Sequence, residues 1–133
     1  MEFHVDTRSK KKETLVKGMM PSIIKQLKLE KSKKTVSIKF ERSCKGMGMT
    51  VPLDIIDSYV IVINPNLPMR EVGLTLAHEM VHVRQMAKGI LKCRNGANYW
   101  RGKKYSTKTK YLDMPWEIEA FERQELIFRR AIQ

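Results

Sequence analysis

The chain has 133 residues, of which 42% are hydrophobic and 30% charged, a balance that suits one compact domain and excludes a wholly disordered chain. Lys and Arg outnumber Asp and Glu by 26 to 14, giving a net charge of +12, which draws the protein towards polyanions without naming one. No apolar run approaches the roughly 18 residues of a membrane span, and Met1–Asp6 lacks the basic-then-apolar plan of a signal peptide, so a cytoplasmic location is expected.

Residues 1–12, which include the basic run Ser9-Lys-Lys-Lys12, are expected to form a flexible entry. From Thr14, the residues Leu15, Val16, Met19, Met20, Ile23, Ile24 and Leu27 recur at helical spacing and make one apolar stripe. Pro21 lies inside that stripe, so either the helix kinks there or two short helices meet. Thr35–Glu41 then alternates as a half-buried strand, with Val36, Ile38 and Phe40 on its apolar face. Met47, Met49 and Val51 alternate around Gly48 and before Pro52, which predicts a short edge strand whose methionines pack.

A turn over 54–58 leads into Tyr59–Ile63, a β-branched run that reads as a strand covered on both faces, at the sheet centre. Pro68 opens a helix from about Met69 to Lys88, with Glu71 in its first turn and Gly89 after its end. Between Lys88 and Lys110 there are eight Lys or Arg and no acid, and Asn95-Gly96 marks a tight turn within a loop or hairpin. Pro115 starts the last helix, Trp116 to about Ile132. Cys44 and Cys93 fit neither a disulfide framework nor a zinc ribbon and read as reduced thiols. The fold expected from this succession is α+β: an N-terminal helix, a small mixed or antiparallel sheet, and two further helices.

His78-Glu-Met-Val-His82 fits H-E-x-x-H. Residues four apart on a helix point the same way, so two imidazoles can grip one Zn²⁺ while Glu79 takes a proton from a water that the metal acidifies. A catalytic zinc wants a third protein ligand. His4 stands too near the terminus to supply it. In the last helix, Glu117, Ala120, Phe121, Gln124, Ile127, Phe128 and Ala131 share an inward face. Glu117 is therefore the first choice and Glu119, on the charged side, the second.

Leu76–His82 followed by Glu117-x-x-Ala120 resembles the gluzincin arrangement of H-E-x-x-H with a downstream E-x-x-A/S, and His-Glu-Met-Val-His also resembles the SprT-like (Spartan) proteases, which act on proteins crosslinked to DNA. The size is similar to compact phage or bacterial metallopeptidase-like proteins, for which the compartment would be the host cytoplasm. Phe121 departs from the Asp or Asn that many gluzincins carry there, and no third histidine follows His82 as SprT-like enzymes require. The resemblance implies a minimal zincin-like domain, a zinc cofactor held by His78, His82 and Glu117, Glu79 as general base, and a protein or peptide substrate. For an oxyanion-stabilising residue, Tyr99, Tyr105, Tyr111 and Arg101 stay open.

The reading from another class is a basic nucleic-acid-binding module with a degenerate or regulatory metal site, through Lys92, Arg94, Trp100, Arg101, Lys103 and Lys104. Its bland counterpart is a hairpin of core aromatics and solvated lysines.

Overall fold

The computed structural model describes residues 1–42 and 46–133. Cys44 falls outside the described residues. The fold is α+β, with a four-stranded mixed sheet, a three-stranded antiparallel sheet and three α-helices among the described residues.

The chain begins as a strand, not as a flexible entry: β1 (Glu2–Asp6) pairs in parallel with β2 (Thr35–Phe40). Ser9 then caps α1 (Lys10–Gln26), its hydroxyl accepting from the Lys12 amide at 3.3 Å, so the basic run is the helix's first turn. The alternation of Phe3 and Val5 was too short and too mixed with polar residues to be legible as a strand. Pro21 sits on the exposed side of one continuous α1. The carbonyl whose partner proline removes thus faces water, and two separate helices are excluded. Val16, Met19, Met20, Ile23, Ile24 and Leu27 are all buried, as their spacing predicts.

β2 and β4 (Ser58–Ile63) are the interior strands of the order β1-β2-β4-β3, and β3 (Gly48–Leu53) is antiparallel at the edge. The phase of β3 is the reverse of what its methionines suggested. Met47 and Met49 are each 46% exposed and Val51 38%, so they do not pack into the core. Gly48, Thr50 and Pro52 are the half-buried positions. Hydrophobicity sets strand phase only where the covered face meets an apolar layer; here it meets the polar side of a helix.

That helix is α2 (Met69–Ala87), and α3 (Pro115–Ala131) crosses it. Between them come β5 (Leu91–Arg94), β6 (Ala97–Trp100) and β7 (Lys103–Tyr105), a meander with two tight turns. Asn95 and Gly96 have φ of 51° and 75°, and Arg101 and Gly102 have 52° and 85°, the left-handed pairs that two-residue hairpins need. The first turn is legible as Asn-Gly. The second is not, because arginine there gives no turn signal.

One apolar cluster joins the inner face of the large sheet to α1, α2 and α3. Gly73 lets the helices close up: a Cβ there would overlap the Phe128 ring and stand 3.3 Å from Met19 Sδ. No helix among the described residues is long and apolar enough to cross a membrane. Gly73→Ala is expected to destabilise the fold by about 1–2 kcal/mol, overpacking outweighing the better helix propensity of alanine. Urea unfolding reads this, and a rise in stability would refute the close approach.

Candidate metal centre

His78 and His82 lie one turn apart on α2 and both are buried, 7% exposed. Their rings stand edge to face, with centroids 5.0 Å apart. From α3, Glu117 sends Oε1 to 2.9 Å from His78 Nε2 and 3.1 Å from His82 Nε2. The apolar face of α3 produces this meeting. Ala120, Ile127, Phe128 and Ala131 bury into the core, and Glu117 on the same face is carried in with them.

Glu119 does not reach the imidazoles; its Oε1 accepts from Gln85 Nε2 at 2.9 Å. Of the two carboxylates, Glu117 is the one that meets the imidazoles. The ligand atoms of His78, Glu79 and His82 lie within 4.8 Å of one another, yet Glu79 Oε2 is 4.0 Å from His78 Nε2 against 2.9 Å for Glu117. Glu79 stands beside the three-atom cluster, and Glu117 completes it. His4 is exposed on β1, away from the site.

Gln85 fixes the chemistry of His82. Its Nε2 donates to Trp116 O at 3.0 Å and to Glu119, both acceptors, so its Oε1 must be the atom that faces His82 Nδ1 at 2.8 Å. Nδ1 thus carries a proton, and Nε2 is left to present a lone pair when the ring is neutral. Gln124 Oε1 stands at 2.8 Å from His78 Nδ1. Both Nε2 atoms thus face Glu117 Oε1, each able to donate a proton to it or, as a bare lone pair, to share a metal ion with it. Two ligands about 2.0 Å from a tetrahedral zinc stand about 3.3 Å apart, close to the separations seen. The donor set therefore fits zinc.

Electrostatics agrees with this arrangement. Burial raises the Glu117 carboxyl, but the contacts with His78, His82 and Tyr111 override it and hold the pKa down to about 2. Burial likewise lowers His82, and its contact with Glu117 outweighs that and leaves it raised. For Glu79, burial dominates and pushes the carboxyl up against the pull of His82 and of Thr50, whose hydroxyl donates to Glu79 Oε1 at 2.8 Å. A carboxylate raised in this way is a better proton acceptor near neutrality.

Tyr111 separates from Tyr99, Tyr105 and Arg101, since its hydroxyl donates to Glu117 Oε1 at 2.9 Å. Burial and that carboxylate push the phenol up, so it stays a donor. Phe121, at the position of the missing Asp or Asn, packs against His78 with centroids 4.6 Å apart. Sequence reasoning missed Thr50, Gln85 and Gln124 as neighbours of the site. Gln124 shares Glu117's face and Gln85 follows His82 by three, spacings that place them near without stating a role.

The cleft over the site has two recesses that share Gly48, Glu79 and Tyr111: one of about 460 Å³ between α2, α3 and residues 46–48, the other of about 300 Å³ under β5 and β6. Gly48 permits the near wall, since a Cβ there would meet Thr75 Cγ2 at 2.6 Å. The basic segment is split by its strand register. Lys92, Tyr99 and Lys104 form one row, with Arg94 on the same face, while Trp100 and Tyr105 turn to Trp116 with centroids 6.5 and 5.6 Å away. Arg101 and Lys103 lie over the Trp100 and Tyr105 rings.

No known protein family, curated protein or solved structure matches the chain.

Gln85→Leu keeps the volume but removes the partner of His82 Nδ1 and one of the donors to Trp116 O and Glu119 Oε1. The loss expected is about 1–3 kcal/mol of stability, together with a mixed His82 tautomer in place of the Nδ1-protonated one. Nitrogen-15 NMR of the imidazole and chemical denaturation read the two effects, and an unchanged tautomer would show that Gln85 does not set it.

Proposed function

We propose that this protein is a zinc-dependent metallopeptidase of the gluzincin type. The observation that carries the reading is the contact of Glu117 Oε1 with the Nε2 atoms of both H-E-x-x-H histidines, across 39 and 35 positions of chain. Helical spacing alone brings two histidines together in any H-E-x-x-H sequence; it does not bring a buried carboxylate to them from another helix.

His78, His82 and Glu117 would hold the ion, which when bound supplies a Lewis acid that acidifies water and polarises a carbonyl. Glu79 takes the proton of the attacking water on its carboxylate and hands it to the departing amine. Thr50 restrains Glu79 by its hydrogen bond. Tyr111 is the donor at the mouth, able to turn from Glu117 towards negative charge that develops on the substrate oxygen. The open backbone of β3 beside Glu79 can hold an extended peptide by strand pairing. These parts support hydrolysis of a peptide bond in a protein or peptide substrate.

The three carboxylates separate cleanly by substitution. Glu117→Gln is expected to weaken zinc binding by tenfold or more, because the anionic oxygen is a ligand. Glu79→Gln should keep about one zinc per chain and abolish peptide cleavage, since a base outside the ligand set can be neutralised without releasing the metal. Glu119→Gln should do neither to that degree. Zinc content and cleavage, measured for the three variants, test this; full zinc and full activity in Glu117→Gln would sink the reading.

A second reading, nucleic-acid binding, is supported by the row Lys92-Tyr99-Lys104 on the face of the small sheet turned from Trp116, cations on either side of an aromatic ring. It is compatible with a protease recruited to DNA-bound proteins, or with a binding module in which the metal site is degenerate or regulatory. If it holds, binding of a single-stranded oligonucleotide falls steeply with salt, and Lys92→Ala with Lys104→Ala flattens the slope by about two charges. Salt-independent binding, or none at low salt, leaves these lysines as solvated surface.

A further inference from the structure

The recess of about 460 Å³ beside the site differs in charge from the rest of the molecule. The chain carries 26 Lys and Arg, yet none stands among the described residues that line this recess. Its walls are apolar at Met47, Leu74 and Phe121, and its one carboxylate away from the metal cluster is Glu71. Glu71 is half-buried in the first turn of α2 and makes no ion pair among the described residues. A half-buried anion without a counter-ion, in so basic a protein, is an incomplete pair. Thr75, one turn further along the same face, is 4% exposed, and its Oγ1 is a buried oxygen with no hydrogen-bond partner.

We propose that this recess binds the side chain of a lysine or arginine next to the bond to be cut, with its methylenes between Met47, Leu74 and Phe121 and its cationic head at Glu71. The substrate part of this proposal rests on the metallopeptidase reading. Length supports the long cations over short side chains. Glu71 lies seven residues, or about 10 Å of helix rise, before His78. A four-carbon ammonium stem or a guanidinium arm reaches along such a wall with its charge at the tip. An aspartate or glutamate in the same place would face Glu71 across an apolar wall, and a plain alkyl chain would fill the recess and leave Glu71 unmatched.

The test uses three peptides that differ at one position, carrying lysine, norleucine or glutamate, and two readouts. In the metal-free protein, NMR shifts of Leu74, Thr75 and Phe121 give binding at the recess without any chemistry. The lysine peptide is expected to bind about tenfold tighter than the norleucine peptide, the scale of a hydrogen bond to a charged partner. Glu71→Gln should erase the difference, and Glu71→Lys should turn the preference to glutamate, both with unchanged far-ultraviolet circular dichroism. Equal binding of the three peptides, absence of shifts at those residues, or a lysine preference that survives Glu71→Gln overturns the proposal. Cleavage by the zinc-loaded protein then separates the two ideas. A lysine preference in binding with no peptide cut upholds the recess and refutes the peptidase reading, whereas cleavage without preference refutes the recess alone.

Discussion

Three polar atoms, two imidazole nitrogens and a carboxylate oxygen, meet at the crossing of α2 and α3, and that meeting constrains everything around it. The contacts of 2.9 and 3.1 Å are made by a proton on each Nε2 atom or by a cation shared among the three atoms. The surrounding residues serve the same end. Gln85 and Gln124 hold the far ring nitrogens, Tyr111 donates to the carboxylate, and Phe121 shields His78 from one side. The packing that brings the helices together is apolar, through Ala120, Ile127 and Phe128 against the core cluster. The polar centre is thus carried on a scaffold whose stability comes from elsewhere.

Two neutral amides, in place of carboxylates, face the outer nitrogens of the histidines. An amide orients an imidazole as a carboxylate does, but donates less charge through the ring. The cluster therefore carries one formal negative charge, that of Glu117, and a dication held there would retain more of its own. Glu119 lies one step further out, holding Gln85 in the orientation that serves His82. A residue first weighed as a ligand is instead the anchor of a ligand's partner.

Much of this was legible in the sequence because two signals coincided. The H-E-x-x-H spacing places its histidines on any helix, and the apolar stripe of the last helix faces Glu117 inward. The edge strand shows where such reasoning fails. Alternation gave a strand over Met47–Val51, but its phase was assigned by burying the methionines, whereas the covered positions are Gly48 and Thr50. A strand that lines a polar site reverses the usual rule, and nothing local reports it. The N-terminal strand was hidden for another reason. Its pairing is parallel, with β2 some thirty residues away, so its stability comes from non-local bonds that short polar alternation does not announce.

The same edge strand also governs how the molecule behaves among its own kind. Asn64 donates its backbone N–H to Met47 O at 2.9 Å, so the alternate residues Gly48, Thr50 and Pro52 turn their backbone groups to the open side. Pro52 has no N–H to offer. The free edge therefore presents donors at Gly48 and Thr50 only, and its hydrogen-bonding row stops after them. That short row offers little pairing to the edge of a second copy, although Met49, Val51 and Leu53 lie exposed along it. The proline keeps an apolar, solvent-facing strand from becoming the seed of a fibre.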